Sequence, residues 1–177
     1  MAFLINPHLD LTTSRIETER CILVPFSTDG RVDIHELAIE FCLANKDLYV
    51  SPFLPTYEQE LQFIKIQEAA IKNGDIFENF ILERVTGRLI GCVGLNTPEQ
   101  DRMNIWLWIR VDEHQKWYGS EVYAAIIEWA RVNTRYHYLK HSLNPENEPS
   151  RKLALKFSAI LQDETTDRGH EIYHIPL

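Results

Sequence analysis

Asn104-Ile-Trp-Leu-Trp-Ile-Arg-Val111 sets Ile105, Leu107, Ile109 and Val111 on one face and Asn104, Trp106, Trp108 and Arg110 on the other. That alternation reads as a strand partly covered on both sides. Just downstream, Val122, Ile126 and Ala130 fall at helical spacing and predict a helix over about Gly119–Val132. The β-rich run Tyr136-His-Tyr-Leu-Lys-His-Ser-Leu143 then predicts a further strand.

Upstream, Phe77–Glu83 and Arg88–Leu95 are two β-rich runs joined by Arg84-Val-Thr-Gly87, whose glycine suits a hairpin turn. Before them comes a helix over about Tyr57–Lys72, apolar at Leu61, Ile64 and Ile71 and stopped by Asn73-Gly74. An earlier helix carries Ile34, Leu37, Ala38 and Phe41, and a first strand spans Thr18–Phe26. On the other side, Asn147-Glu-Pro-Ser150 opens a last helix with Asn147 as its cap and Pro149 in its first turn, and Glu171–Ile175 reads as a final strand. The order β-α-α-β-β-β-α-β-α-β predicts an α/β (α+β) mixed sheet with helices on both faces, not a doubly wound parallel one.

The chain has 177 residues, 45% of them apolar and 25% charged, which fits a single domain over residues 1–177 and excludes disordered and collagen-like classes. Twenty-six acidic against 18 basic residues give a net charge of −8, so neither nucleic acid nor an anionic lipid surface is an expected partner. An anionic ligand would need a local cradle of backbone amides, Lys or Arg. No apolar run approaches the ~20 residues of a membrane span, and Met1–Pro7 does not read as a secretory signal, so a cytoplasmic location is expected. Cys21, Cys42 and Cys92 lie in apolar segments without a C-x-x-C pair and are expected to be buried, reduced thiols.

His137 and His141, like His170 and His174, are four apart. On strands that spacing is ~13 Å, too long for two bonds of ~2 Å to one ion, so no metal site is expected. No G-x-S-x-G elbow, Walker loop, H-E-x-x-H helix or G-x-G-x-x-G run occurs, which disfavours serine hydrolases, P-loop enzymes, zincins and dinucleotide enzymes. Trp106/Trp108 and Trp117/Tyr118 lack a basic surround and read as core or small-ligand contacts, not base-stacking platforms.

Several strings, in order, resemble the GNAT acetyltransferases, in the branch that includes ribosomal-protein N-terminal acetyltransferases. Thr18-Glu-Arg-Cys-Ile-Leu-Val-Pro25 is similar to that branch's T-E-R-L-x-L-R-P, and Leu89-Ile-Gly-Cys-Val-Gly-Leu95 to L-I-G-x-x-G. Leu107-Trp108-Ile109 is similar to Y-W-I, Tyr118-Gly-Ser-Glu-Val122 to G-Y-A-T-E-A, and Asn147–Ser150 to N-x-x-S. The resemblance covers about Thr18–Phe157. It implies the GNAT fold, a mixed, mostly antiparallel twisted sheet of six to seven strands. It also implies a cleft where the Trp106–Val111 and Tyr136–Leu143 strands run parallel and diverge, with acetyl-coenzyme A as co-substrate inserted there.

By that resemblance the pyrophosphate rests on His114–Ser120, so Lys116, Trp117, Tyr118, Gly119 and Ser120 are candidate coenzyme contacts, helped by the positive end of the following helix. Amides of Ile109, Arg110 and Val111 would polarise the thioester carbonyl. Ser150 would donate to the departing sulfur, or else make only a local backbone bond in its helix. Asn147 is a helix cap and a pantetheine contact. Glu83, Asp112, Glu113 and His141 are all conceivable bases. The family loop reads Q/R-x-x-G-x-G/A, whereas this chain has His114-Gln-Lys-Trp-Tyr-Gly119. Val24 stands in place of an arginine, Trp106 in place of a glycine, and Ser158-Ala159 in place of glycine-phenylalanine. Two functions follow: acetyl transfer to a primary amine, on a peptide or a small molecule, or a binding or scaffolding role on a decayed cofactor loop. The strand Glu171–Ile175 offers an edge for a homodimer.

Overall fold

The computed structural model describes residues 4–48, 56–99 and 102–177. Among these, one mixed sheet contains β1 (Ile16–Glu17), β2 (Cys21–Pro25), β3 (Ile76–Glu83), β4 (Leu89–Glu99), β5 (Arg102–Ile109), β6 (Tyr138–Leu143), β7 (Ile160–Thr165) and β8 (Glu171–Pro176). Their spatial order is β1-β2-β3-β4-β5-β6-β8-β7. The helices α1 (Ile34–Leu48) and α2 (Tyr57–Asn73) lie between β2 and β3 in sequence, α3 (Tyr118–Asn133) joins β5 to β6, and α4 (Glu148–Lys156) follows β6. This is the GNAT arrangement, with eight strands where six to seven were expected. The two additional ones escape sequence patterning for physical reasons. β1 has only two residues, and β7 is an edge strand with almost every side chain in solvent, so neither has an alternating apolar face.

Every neighbouring pair is antiparallel except β5 and β6, which run parallel. Their pairing is confined to Met103↔Leu139 and Asn104↔Lys140, at the start of both strands, and beyond it the strands separate. The expected divergence is therefore present. β5 stops at Ile109, two residues before the expected end, because Val111–Glu113 turns into a 3-10 helix. β8 is not an edge strand: it lies between β6 and β7, so the edge at that end of the sheet belongs to β7.

The local chemistry explains the elements. Thr56 and Gln59 form a reciprocal capping box at the start of α2, and Gly74 ends that helix at φ 76°. Gly94 pairs with Trp106 across β4 and β5, and a Cβ there would lie 2.5 Å from the Trp106 Nε1, so the glycine makes room for the indole. One face of the sheet packs on α3 through Val122, Tyr123, Ile126, Ile127 and Ala130, with Phe77 stacked on Trp129 at 4.0 Å. The other carries Phe26, Phe80, Trp106 and Trp108, the last edge-on to Phe41 of α1 at 5.6 Å. Each such buried side chain contributes about 1.5–3 kcal/mol.

Cys21 and Cys92 are buried as expected, whereas Cys42 is half-buried, and none of the three forms a disulfide. Burial pushes the Cys21 thiol up to about 11. Among the described residues no group of His, Cys, Asp or Glu is arranged to hold a metal ion, and no helix is long and apolar enough to cross a membrane.

Candidate active site

The divergence of β5 from β6 opens a cavity of about 530 Å³, walled by Leu107 and Ile109 of β5, the loop before α3, the first turn of α3, and one face of α4. Along β5 alternate residues turn their N–H and C=O groups to opposite sides. The Arg110 amide donates to the Ile90 carbonyl at 2.8 Å on the β4 side, so the Leu107 and Ile109 amides face the cleft. Ile109 thus lies where it was expected, but Arg110 and Val111 do not contribute. The Arg110 amide is already bonded and its guanidinium is held on the α1 side by Glu36, Glu40 and Asp112, while Val111 belongs to the 3-10 turn outside the cavity wall.

The N-termini of α3 and α4 both meet this cavity, and α3 carries no side-chain cap. α2 and α4, by contrast, are capped by Thr56 and Asn147. The first-turn amides of α3, at Tyr118, Gly119 and Ser120, therefore remain available to an anion, and the helix dipole adds to their attraction. Those three residues, candidate coenzyme contacts by the resemblance, line the cavity.

Trp117 stands where the resemblance places a glycine. Its φ is 68°, so it adopts the left-handed conformation at an energetic cost of about 1–2 kcal/mol, and its side chain is 71% exposed. The Lys156 ammonium sits 5.1 Å from the centroid of the Trp117 ring, which forms part of the cavity wall. Ser158, where the family also has glycine, is likewise at φ 60° and closes the end of α4.

Lys116, expected as the phosphate-facing charge, is turned elsewhere: its Nζ pairs with Glu113 at 2.9 Å and it is absent from the cavity wall. The positive charge at the mouth comes from Lys152 and Lys156 of α4. Their i, i+4 spacing in Arg151-Lys-Leu-Ala-Leu-Lys156 was the sequence signal for that face.

At the inner end, Asn147 and Ser150 both line the cavity. Asn147 Oδ1 accepts from the Ser150 amide at 3.1 Å, making it the cap of α4. The Ser150 hydroxyl bonds to His141 Nε2 at 2.9 Å instead of to its own helix. His141 Nδ1 in turn lies 2.5 Å from the Tyr123 hydroxyl. Burial lowers His141 to about 4, so the imidazole is neutral near pH 7.

The three carboxylates considered as bases are engaged. A hydrogen bond from Thr86, above all, holds Glu83 below the usual range, with Tyr118 also donating to it. Burial raises Asp112, but bonds from Arg110 and Arg88 outweigh it and leave its carboxyl low. Glu113 pairs with Arg88 and Lys116. Sequence reasoning missed Glu78, which lies on the opposite face of the sheet at 3% exposure, with Oε1 accepting from Trp106 Nε1 at 3.0 Å. Burial pushes this carboxyl up to about 7.

Comparison with known proteins agrees with this fold. The acetyltransferase (GNAT) domain family matches residues 20–159. No curated protein matches the chain. Among solved structures, an acetyltransferase from Agrobacterium tumefaciens superimposes with a TM-score of 0.75 at 17% identity, over 96% of this chain and 98% of its own. A Vibrio cholerae protein provisionally described as a ribosomal-protein-serine acetyltransferase gives 0.71 at 19%, over 94% and 99%. Mycobacterium smegmatis RimJ, solved in complex with CoA-disulfide, gives 0.71 at 14%, over 94% and 88%. At these identities the superpositions establish the shared fold.

Proposed function

This chain belongs to the GNAT acetyltransferase family, and we propose that it transfers the acetyl group of acetyl-coenzyme A to a primary amine, either a peptide N-terminus or a small-molecule amine. The observation that carries this reading is the meeting, in one cavity, of the uncapped α3 N-terminus with the Ser150 hydroxyl. The scaffolding alternative drew on Trp117 and Trp106. The first takes a left-handed backbone with its side chain largely in solvent, and the second packs on the opposite face beside Phe26 and Glu78.

The residues fit the coenzyme. Tyr118, Gly119 and Ser120 amides would hold its pyrophosphate, Lys152 and Lys156 would add positive charge at the mouth, and the apolar walls Leu107 and Leu153 would take the pantetheine arm, with Asn147 beside it. Acetyl-coenzyme A supplies an acyl group activated as a thioester. The Leu107 and Ile109 amides face the position where its carbonyl oxygen gains charge. As the amine nitrogen bonds to the carbonyl carbon and the carbon–sulfur bond breaks, Ser150 gives its hydroxyl proton to sulfur. The proton lost from the amine nitrogen then restores the hydroxyl, so the protein ends unchanged.

The test is a calorimetric titration with acetyl-coenzyme A, followed by product detection on peptide and polyamine acceptors. Saturable binding and acetylated product are expected, and Ser150→Ala is expected to lower kcat by about 10²–10⁴-fold with little change in coenzyme affinity. Absence of coenzyme binding would overturn the reading.

A further inference from the structure

Behind Ser150 lies a hydrogen-bonded chain that leads away from the cavity into the core: Ser150 Oγ to His141 Nε2 at 2.9 Å, and His141 Nδ1 to the Tyr123 hydroxyl at 2.5 Å. It links α4, β6 and α3. Tyr123 is 0% exposed and His141 5%, so any hydrogen left without an acceptor there carries a desolvation cost.

We propose that Tyr123 and His141 are positioning residues which hold the imidazole in its Nε2–H form and thereby turn the Ser150 hydroxyl hydrogen into the cavity. The kinetic consequence rests on the acetyl-transfer reading above, whereas the hydrogen-bond arrangement does not.

A neutral imidazole has one N–H and one lone pair, so there are two ways to satisfy the chain. With the proton on Nδ1, the ring donates to the Tyr123 oxygen, and the phenol's own hydrogen is buried with no acceptor among the described residues. The Ser150 hydroxyl then points its hydrogen at Nε2, away from any ligand. With the proton on Nε2, Tyr123 donates to Nδ1 and Nε2–H donates to Ser150 Oγ. Every buried donor now has an acceptor, and the remaining Ser150 hydrogen can turn only toward the cavity. The second arrangement is the satisfied one.

Its chemical use follows directly. Ser150 passes its hydrogen to the departing sulfur as the proton from the amine nitrogen reaches its oxygen, while Nε2–H continues to bond to that oxygen and offsets the negative charge that develops on it. His141 keeps its own proton throughout. Burial supports both assignments, since it lowers His141 and raises Tyr123 well above its ordinary value, keeping the imidazole neutral and the phenol a donor near pH 7.

The experiment uses the full chain labelled with ¹⁵N-histidine, free of ligand, with the His141 signals identified by their loss in His141→Gln. A protonated Nε2 and a hydrogen-bonded, unprotonated Nδ1 at pH 7 are expected. In Tyr123→Phe that preference should weaken, with kcat reduced roughly five- to tenfold and KM for acetyl-coenzyme A unchanged, as loss of one orienting hydrogen bond predicts. His141→Gln, whose amide can still donate to Ser150, should retain more activity than His141→Leu. A ring protonated on Nδ1 in the free protein would overturn the assignment whether or not the protein is active. A Tyr123→Phe enzyme with wild-type kcat, alongside a crippled Ser150→Ala, would overturn the positioning role. An active enzyme unimpaired by Ser150→Ala would instead remove the role given to Ser150 itself.

Discussion

Arg20 Nε and Glu121 Oε2 lie 2.7 Å apart, joining the chain just before β2 to the first turn of α3. The same carboxylate accepts from the Thr18 hydroxyl at 2.6 Å and the Arg20 amide at 2.8 Å, while Arg20 Nη1 donates to the Lys116 carbonyl at 2.9 Å. The guanidinium also lies 4.3 Å over the Tyr118 ring. Thr18-Glu-Arg20 is thus a brace for the loop that presents the α3 amides, a role its place in the first predicted strand did not disclose.

Glu121→Gln should weaken that brace. Glutamine has one acceptor oxygen, so of the three bonds from Thr18 and Arg20 at least one is lost and the others lose charge assistance, costing about 1–2 kcal/mol and loosening coenzyme binding severalfold. Burial raises the Glu121 carboxyl, but bonds from Thr18 and Arg20 outweigh it and hold it below its ordinary value. A lowered carboxylate stabilises the fold above its unfolded value of about 4.3 and loses that contribution as pH falls through the folded one. Thermal melts from pH 6 to pH 3 should therefore fall less steeply for the variant, and an identical slope would refute the brace.

Lys152→Ala with Lys156→Ala should weaken coenzyme binding by roughly tenfold at low salt and by less at high salt, because exposed charges are screened beyond a Debye length of about 8 Å at physiological ionic strength. Lys116→Ala should have the smaller effect, since its ammonium is held by Glu113 at 2.9 Å away from the cavity wall, whereas Lys152, 3.5 Å from Glu148, and Lys156 both line it. Calorimetry at two salt concentrations separates the two, and a larger loss in Lys116→Ala would place the anion elsewhere.

The contrast between these lysines marks what was legible in the sequence. Alternation on Ile105, Leu107 and Ile109 and helical spacing on Val122 and Ile126 carried the β5–α3 unit, because each pattern reports a buried face. Ser150 was legible through a local string, and its place on the cavity wall follows from the Asn147 cap. The partners of Ser150 were not, since His141 and Tyr123 are brought to it only by tertiary packing across α3, β6 and α4. The orientation of Lys116 and the burial of Glu78 likewise depend on neighbours distant in sequence.

Trp117→Gly sets two local effects against each other. Glycine relieves the left-handed backbone, worth about 1–2 kcal/mol, but adds backbone freedom costing up to ~1 kcal/mol and removes a cation–π contact of about 0.5–1 kcal/mol with Lys156. Stability should thus change by no more than about 1 kcal/mol. Coenzyme affinity should fall by about two- to fivefold, because the change removes an aromatic part of the cavity wall and its contact with Lys156. Tighter binding by the variant would show that the ring closes over the amides in solution.

Glu78→Gln tests the buried carboxyl beneath Trp106. Its Oε2 has no partner and burial raises the group to about 7, against about 4.3 in the unfolded chain. Between those values the folded state binds the extra proton, so stability must fall as pH rises from about 4.3 to 7 and stay reduced above that. Glutamine cannot ionise, and it keeps an oxygen that can accept from the Trp106 indole. The variant should accordingly melt higher than wild type at pH 8, by about 2 kcal/mol or roughly 5 °C, and lose that advantage at pH 5. Glu60, also raised by burial to about 7, is present in both proteins and cancels in the difference. A melting difference that does not vary with pH would mean that Glu78 ionises near its ordinary value and that water reaches its free oxygen.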